Sequence, residues 1–231
     1  MFLKRLISIL LGVMALVAGG SGISLAADTG AAADNEKFTA SEAFVRLPAH
    51  TLDLLSKSMR LDLLEYLKHD SIYSVPNTLD GLSYLEPPVT DKYLKVRITP
   101  VTALSIRILD GGKTPIVATA YTVGDSLQAA DTKLQFFTPE MKEIKLEKIM
   151  RIATSEDFLN LQGLSRKERE EILFLLPFPT VEYTFNAENN DLKARLTVGE
   201  FLSREANEKI KPYLRRDRTY KWDGHKYKLE K

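Results

Sequence analysis

The sequence predicts an α+β protein: an antiparallel β-meander sheet with packed helices, followed by a smaller helix-plus-hairpin region. Three observations predict it. Leucines recur at spacings of three and four between Thr51 and His69, as on the buried stripe of an amphipathic helix. Four β-rich runs follow between Leu94 and Thr138, joined by short polar turns, which argues for adjacent antiparallel strands rather than βαβ units. The last third then changes rhythm to helix, hairpin, helix, hairpin.

Residues 1–26 read as a secretory signal. Lys4 and Arg5 precede the apolar run Leu6 to Ala18, glycines interrupt it, and Ser24-Leu25-Ala26 offers the small residues of a cleavage site. An apolar run of 13 residues is short for a bilayer span, which needs about 20. The expected product is an exported protein of the periplasm or extracellular space. Residues 27–43 are mostly small and polar, and are expected to form a disordered lead-in.

The first folded region is expected over 44–150. Leu52, Leu55, Met59 and Leu63 form the stripe of a 51–69 helix, with Leu64 and Leu67 widening it. Leu94, Val96 and Ile98 then alternate with Lys95 and Arg97, giving a strand with one apolar and one basic face. Further strands are read at 103–109, 115–123 and 131–138, the first two separated by the turn Asp110-Gly111-Gly112.

The region 151–231 is expected to pack on the first. Ser165 and Glu168 have the spacing of a capping box, and Pro177 stops the helix that follows. If Asn189-Asn190 is a two-residue turn, Val181 pairs with Val198, Tyr183 with Leu196 and Phe185 with Ala194, which sorts the hairpin by polarity. A short helix near 203–211 comes next. Treating Asp223-Gly224 as another two-residue turn sets Trp222 against His225 and Tyr220 against Tyr227, an aromatic face expected to be buried.

Composition narrows the chemistry. With 32 basic and 31 acidic residues, no net field points to nucleic acid. The chain is cysteine-free, which removes disulfides, thiolate nucleophiles and Cys-based metal sites. His50, His69 and His225 lack metal-ligand spacing. Gly124-Asp125-Ser126-Leu127 spells the nucleophile block of the G-D-S-L esterases, with Asn190-Asp191 and Asp223/His225 as available partners. A serine nucleophile needs an imidazole within reach, oriented by a carboxylate. Here the motif lies between two meander strands and Asp223-Gly224-His225 has the wrong spacing, so ordinary turn chemistry is the preferred reading. From Arg204 onward, ten basic and five acidic residues surround Tyr213, Tyr220, Trp222 and Tyr227, a patch that could meet an envelope protein, a glycan or a lipid headgroup.

Three segments carry a resemblance: FVRLPAHTLDLLSKSMRLDLLEYL at 44–67 with Arg60 and Asp62, Asn77-Thr78-Leu79-Asp80-Gly81 ahead of Tyr93-Leu94, and Asp131 to Phe137 (DTKLQFF). Together they resemble an exported bacterial family, domain of unknown function three-two-five-six, over roughly residues 44–150. The resemblance implies export and an α+β architecture, and no activity, cofactor or catalytic residue. The sequence thus assigns no catalytic, cofactor-binding or metal-binding residue. It favours a non-enzymatic binding or envelope-associated module, with a G-D-S-L-type serine hydrolase using Ser126 as the alternative.

Overall fold

The computed structural model describes residues 37–67, 73–112, 114–124, 129–198, 202–215 and 217–230. The expected signal, the lead-in up to residue 36, His69 and Ser126 lie outside the described residues.

Strands β1 (Ser74–Pro76), β2 (Leu82–Glu86), β3 (Tyr93–Thr99), β4 (Thr102–Leu109), β5 (Ile116–Val123), β6 (Asp131–Phe137) and β7 (Glu143–Ile144) pair in sequence order. Every pairing is antiparallel, so the sheet is a meander of seven strands. On one face, Leu94, Val96, Ile98, Leu104 and Ile106 meet Phe44, Leu52, Leu55 and Leu63. On the other, Ala118, Leu134 and Phe136 meet Tyr183, Phe185, Leu192 and Tyr227 of a second sheet. Because both faces are covered, all eight residues of β4 are buried, not only alternate ones.

Helix α1 (Ala40–Arg46) corrects the end of the expected lead-in over 27–43. Thr39 and Glu42 form a reciprocal capping box, and Ala40, Ala43 and Phe44 are buried. The 51–69 helix is also shorter than its leucine pattern implies. A 3-10 turn covers Ala49–Thr51, and α2 (Lys57–Leu67) begins only at Lys57, with the Ser56 hydroxyl accepting from the Met59 amide. Leu52 and Leu55 reach the core from the intervening turn. The buried Arg60 organises that turn. Its guanidinium donates to the carbonyls of Leu55, Leu47, Leu52 and Phe44 at 2.9, 2.7, 2.9 and 3.3 Å.

After α3 (Leu146–Ile149) and the capping-boxed α4 (Arg166–Leu175), the chain builds the second sheet. It contains β8 (Val181–Phe185), β9 (Leu192–Leu196), β10 (Asp217–Trp222) and β11 (Tyr227–Leu229), in the order β11-β10-β9-β8. Helix α5 (Arg204–Ile210) bridges its two hairpins.

Both hairpin registers differ from the expected ones by two residues. Val181 pairs with Leu196, Tyr183 with Ala194 and Phe185 with Leu192. Asn186 causes the change: its Oδ1 accepts from the amides of Glu188 and Asn189, and its own amide bonds to the Asp191 carbonyl, closing a longer loop. In the C-terminal hairpin Trp222 pairs with Tyr227 and Tyr220 with Leu229. Asp223 Oδ1 accepts from the amides of His225 and Lys226, which moves His225 off the aromatic face and into the turn.

Candidate functional site

The second sheet covers only part of the meander face that it packs against. Its edge strand β8 lies over β4, β5 and β6. The free edge is tied down by β6 side chains: Asp131 Oδ1 accepts from the Val181 amide and Thr132 Oγ1 from the Tyr183 amide. Beyond that edge the β2–β3 side of the face is left open, and a cleft of about 430 Å³ forms between the sheets. This is the size range of small-molecule sites.

Alternation along the strands determines the lining. Tyr84 and Glu86 on β2, with Lys95 and Arg97 on β3, project from the face opposite the helices. Across the trough, β8 and β9 contribute Glu182 and Arg195. The floor between these walls is built from small side chains, Ala103, Ser105 and Ala120, so the long residues stand around an empty space.

The charges are organised in two sets. Glu86 accepts from Arg97 Nε at 2.7 Å and pairs with Lys95 Nζ at 2.5 Å. Partial burial would raise the Glu86 pKa, but hydrogen bonding and attraction to Lys95 and Arg97 outweigh it, and the carboxyl is held below its ordinary range. Opposite, Arg195 donates through Nε and Nη2 to Glu182 Oε2 at 2.9 and 2.5 Å. The buried Tyr93 at one end has its phenol pushed up by desolvation, with Glu86 adding to the effect and Arg107 opposing it. Both Nη groups of Arg97 and the hydroxyl of Ser105, a residue only 8% exposed, make no hydrogen bond to the described residues.

Of the residues weighed as catalytic, Asp125 and Ser126 lie outside the described residues, while Gly124 and His225 stand at opposite ends of β5. Gly124 sits just past β5 with φ of +111°, and a Cβ there would lie 2.5 Å from the Ala129 carbonyl oxygen, so the turn itself demands glycine. The His225 ring sits beside Gly112, ahead of the other end of β5. Eight residues of strand at about 3.4 Å each put roughly 25 Å between those ends. The would-be partners are engaged elsewhere. Asn190 Oδ1 accepts from Arg107 Nε and Nη2, Asp191 pairs with Lys221, and Asp223 pairs with Lys228. Among the described residues no group of three His, Asp or Glu side chains could hold a metal ion.

In the basic C-terminal patch, Lys209, Lys221 and Lys228 are paired with Glu205, Asp191 and Asp223. Tyr220 and Tyr227 are buried, while Trp222 is half-buried. Its Nε1 donates to the Asp110 carbonyl at 2.6 Å and its ring meets Tyr227 edge-on at 5.1 Å. The two hairpin tips touch here so closely that a Cβ on Gly111 would lie 1.7 Å from the Gly224 carbonyl oxygen.

The segments that carry the family resemblance have architectural work. Arg60 gathers four carbonyls. Asn77 accepts from the amides of Leu79 and Gly81 and donates to Ser83 Oγ and the Ile98 carbonyl. Asp131 and Thr132 dock the second sheet.

These features define an α+β protein of two antiparallel sheets with helices on the outer face of the larger one. The chain belongs to the family described as Protein of unknown function (DUF3256), whose profile matches residues 35–227. The match therefore reaches well past the expected limit near residue 150 and takes in the second sheet. A solved structure titled "Structure of a domain of an uncharacterized protein from Porphyromonas gingivalis W83" has the same fold. It is similar with a TM-score of 0.71 at 20% identity, over 82% of this chain and 96% of that one. No curated protein sequence matches this chain.

Proposed function

We propose that this chain is an exported, non-enzymatic binding module, and that the cleft between its two sheets is the binding surface. The observation that carries the reading is the cleft itself. It combines a small-residue floor, pre-positioned charged walls and donors on Arg97 and Ser105 that bond to no described residue. Paired charges held by the sheet are ordered before a ligand arrives, which lowers the entropy cost of binding. The leader-like residues 1–26 support export, and no helix among the described residues is long and apolar enough to cross a membrane.

Two measurements test the two halves of this reading. Mass spectrometry of protein expressed in its native cell should find the species beginning at Ala27 in the exported fraction; full-length chain retained in the cytoplasm would contradict export. For the cleft, thermal shift compares the wild type with Ser105→Phe, which fills the floor. Maltohexaose, hexaglutamate and inorganic phosphate serve as probes. A ligand that raises the wild-type Tm and leaves that of the filled variant unmoved supports the cleft, because a ligand stabilises only the state that binds it. Equal shifts in both proteins, or none in either, contradict it.

A further inference from the structure

The chemistry of the cleft indicates its ligand, an inference that rests on the cleft being the binding surface. We propose that it takes a neutral saccharide, with Tyr84 as a stacking face and the Glu86–Arg97 and Glu182–Arg195 pairs as hydrogen-bonding walls.

The argument starts from charge. Lys95 and Arg97 are already committed to Glu86, and Arg195 to Glu182. A free anion entering the trough reaches the unused Nη groups of Arg97 only beside Glu86 and Glu182, whose repulsion it meets. A free cation faces the converse problem. A sugar hydroxyl does neither, because it donates and accepts at once. It can accept from an unused Nη of Arg97 while a neighbouring hydroxyl donates to a remaining lone pair of Glu86 or Glu182. The planar fork of an arginine and the planar carboxylate beside it match two hydroxyls on adjacent ring carbons.

The floor supplies a second, independent indication. Ser105 is more than nine-tenths buried, lines the cleft, and its hydroxyl bonds to nothing among the described residues. That oxygen still opens onto the cleft, where it is available to a ligand hydroxyl or to the water that a ligand replaces. At the rim, Tyr84 is 36% exposed, and it neighbours Arg97 directly across β2 and β3. Its apolar ring face can cover the C–H side of a sugar while the charged pairs address the hydroxyls.

Isothermal titration of the intact folded chain provides the test, with maltohexaose, xylohexaose and mannohexaose as neutral probes and hexagalacturonate and inorganic phosphate as anionic ones. At least one neutral hexaose should bind, with an affinity that changes less than about twofold between low and physiological salt, since no net charge is neutralised. Tyr84→Ala and Glu182→Gln should each weaken that binding about tenfold or more. Tyr84→Phe, which keeps the ring, should restore it. Matching melting temperatures for Tyr84→Ala and wild type would exclude a folding effect. Salt-sensitive binding of hexagalacturonate or phosphate alone, abolished by Arg97→Gln, would overturn the saccharide while leaving the cleft as the site. Failure of every probe, neutral and anionic, would overturn both.

Discussion

Arg60 and Arg107 are buried cations held by neutral oxygens instead of carboxylates. Arg60 meets four main-chain carbonyls, and Arg107 meets Asn190 Oδ1 and the Ala187 carbonyl. Desolvation lowers the pKa of both, yet an arginine stays charged far beyond neutral pH. Removing Arg60 orphans several carbonyls at once. Arg60→Met is expected to cost about 3 kcal/mol, a fall in Tm of roughly 6–12 °C. Arg60→Lys should recover little of it, because one ammonium cannot reach carbonyls arranged around a planar fork. Calorimetric melts of both variants check this. The Tyr227 hydroxyl is buried with no hydrogen-bond partner among the described residues. Tyr227→Phe should therefore leave stability unchanged or raise it by up to about 1 kcal/mol, whereas Tyr183→Phe, which strands the Ala153 amide, should lower it by about 1–3 kcal/mol.

The same tyrosines determine an alkaline limit. Burial raises the phenols of Tyr93, Tyr183, Tyr220 and Tyr227 above their ordinary value. In the unfolded chain they lose protons near pH 10, whereas the folded chain keeps them. The unfolded state then binds fewer protons, so the stability present below about pH 10 is lost as pH rises above it. Urea midpoints should hold from pH 8 to 9.5 and fall beyond pH 10, with a shallower fall in Tyr227→Phe. Native phenolate absorbance that titrates fully near pH 10 would refute this.

At the level of elements, much was legible and the misses have specific causes. Alternation located β3 to β6, and capping spacing located α4. The same capping signal at Thr39 and Glu42 marks α1, but the small polar residues before it hid the boundary. The leucine stripe from residue 51 overextended α2, because a stripe reports burial and not helical backbone. Polarity sorting fixes a hairpin register only modulo two: a shift by two leaves every side chain on its face, so the side chains of Asn186 and Asp223 made the choice. A cysteine-free chain makes this testable. Thr184→Cys with Lys193→Cys should oxidise readily, because these residues are paired directly opposite. Thr184→Cys with Arg195→Cys should not, since diagonal Cβ atoms stand about 7–8 Å apart, too far for a disulfide. Rapid closure of the second pair would restore the shorter turn.

Across the whole molecule, the site was less legible than the fold. The polar face of β3, with Lys95 and Arg97, can be read from alternation alone, but a polar strand face is ordinarily just a solvated one. It becomes a cleft wall only because the second sheet docks beside it, through Asp131, Thr132 and Arg107, contacts separated by about 50 to 80 residues in sequence. Local patterns carry no record of such contacts. The docking also explains why residues far apart in the chain, Glu86 and Glu182, face one space. Amide chemical-shift mapping of the isotope-labelled protein with a neutral hexaose tests the central claim most directly. The account predicts shifts concentrated on β2, β3 and the β8–β9 hairpin, around Tyr84, Arg97, Ser105 and Glu182, and lost in Glu182→Gln. Shifts gathered instead on the basic C-terminal hairpin, or no shifts at all, would contradict it.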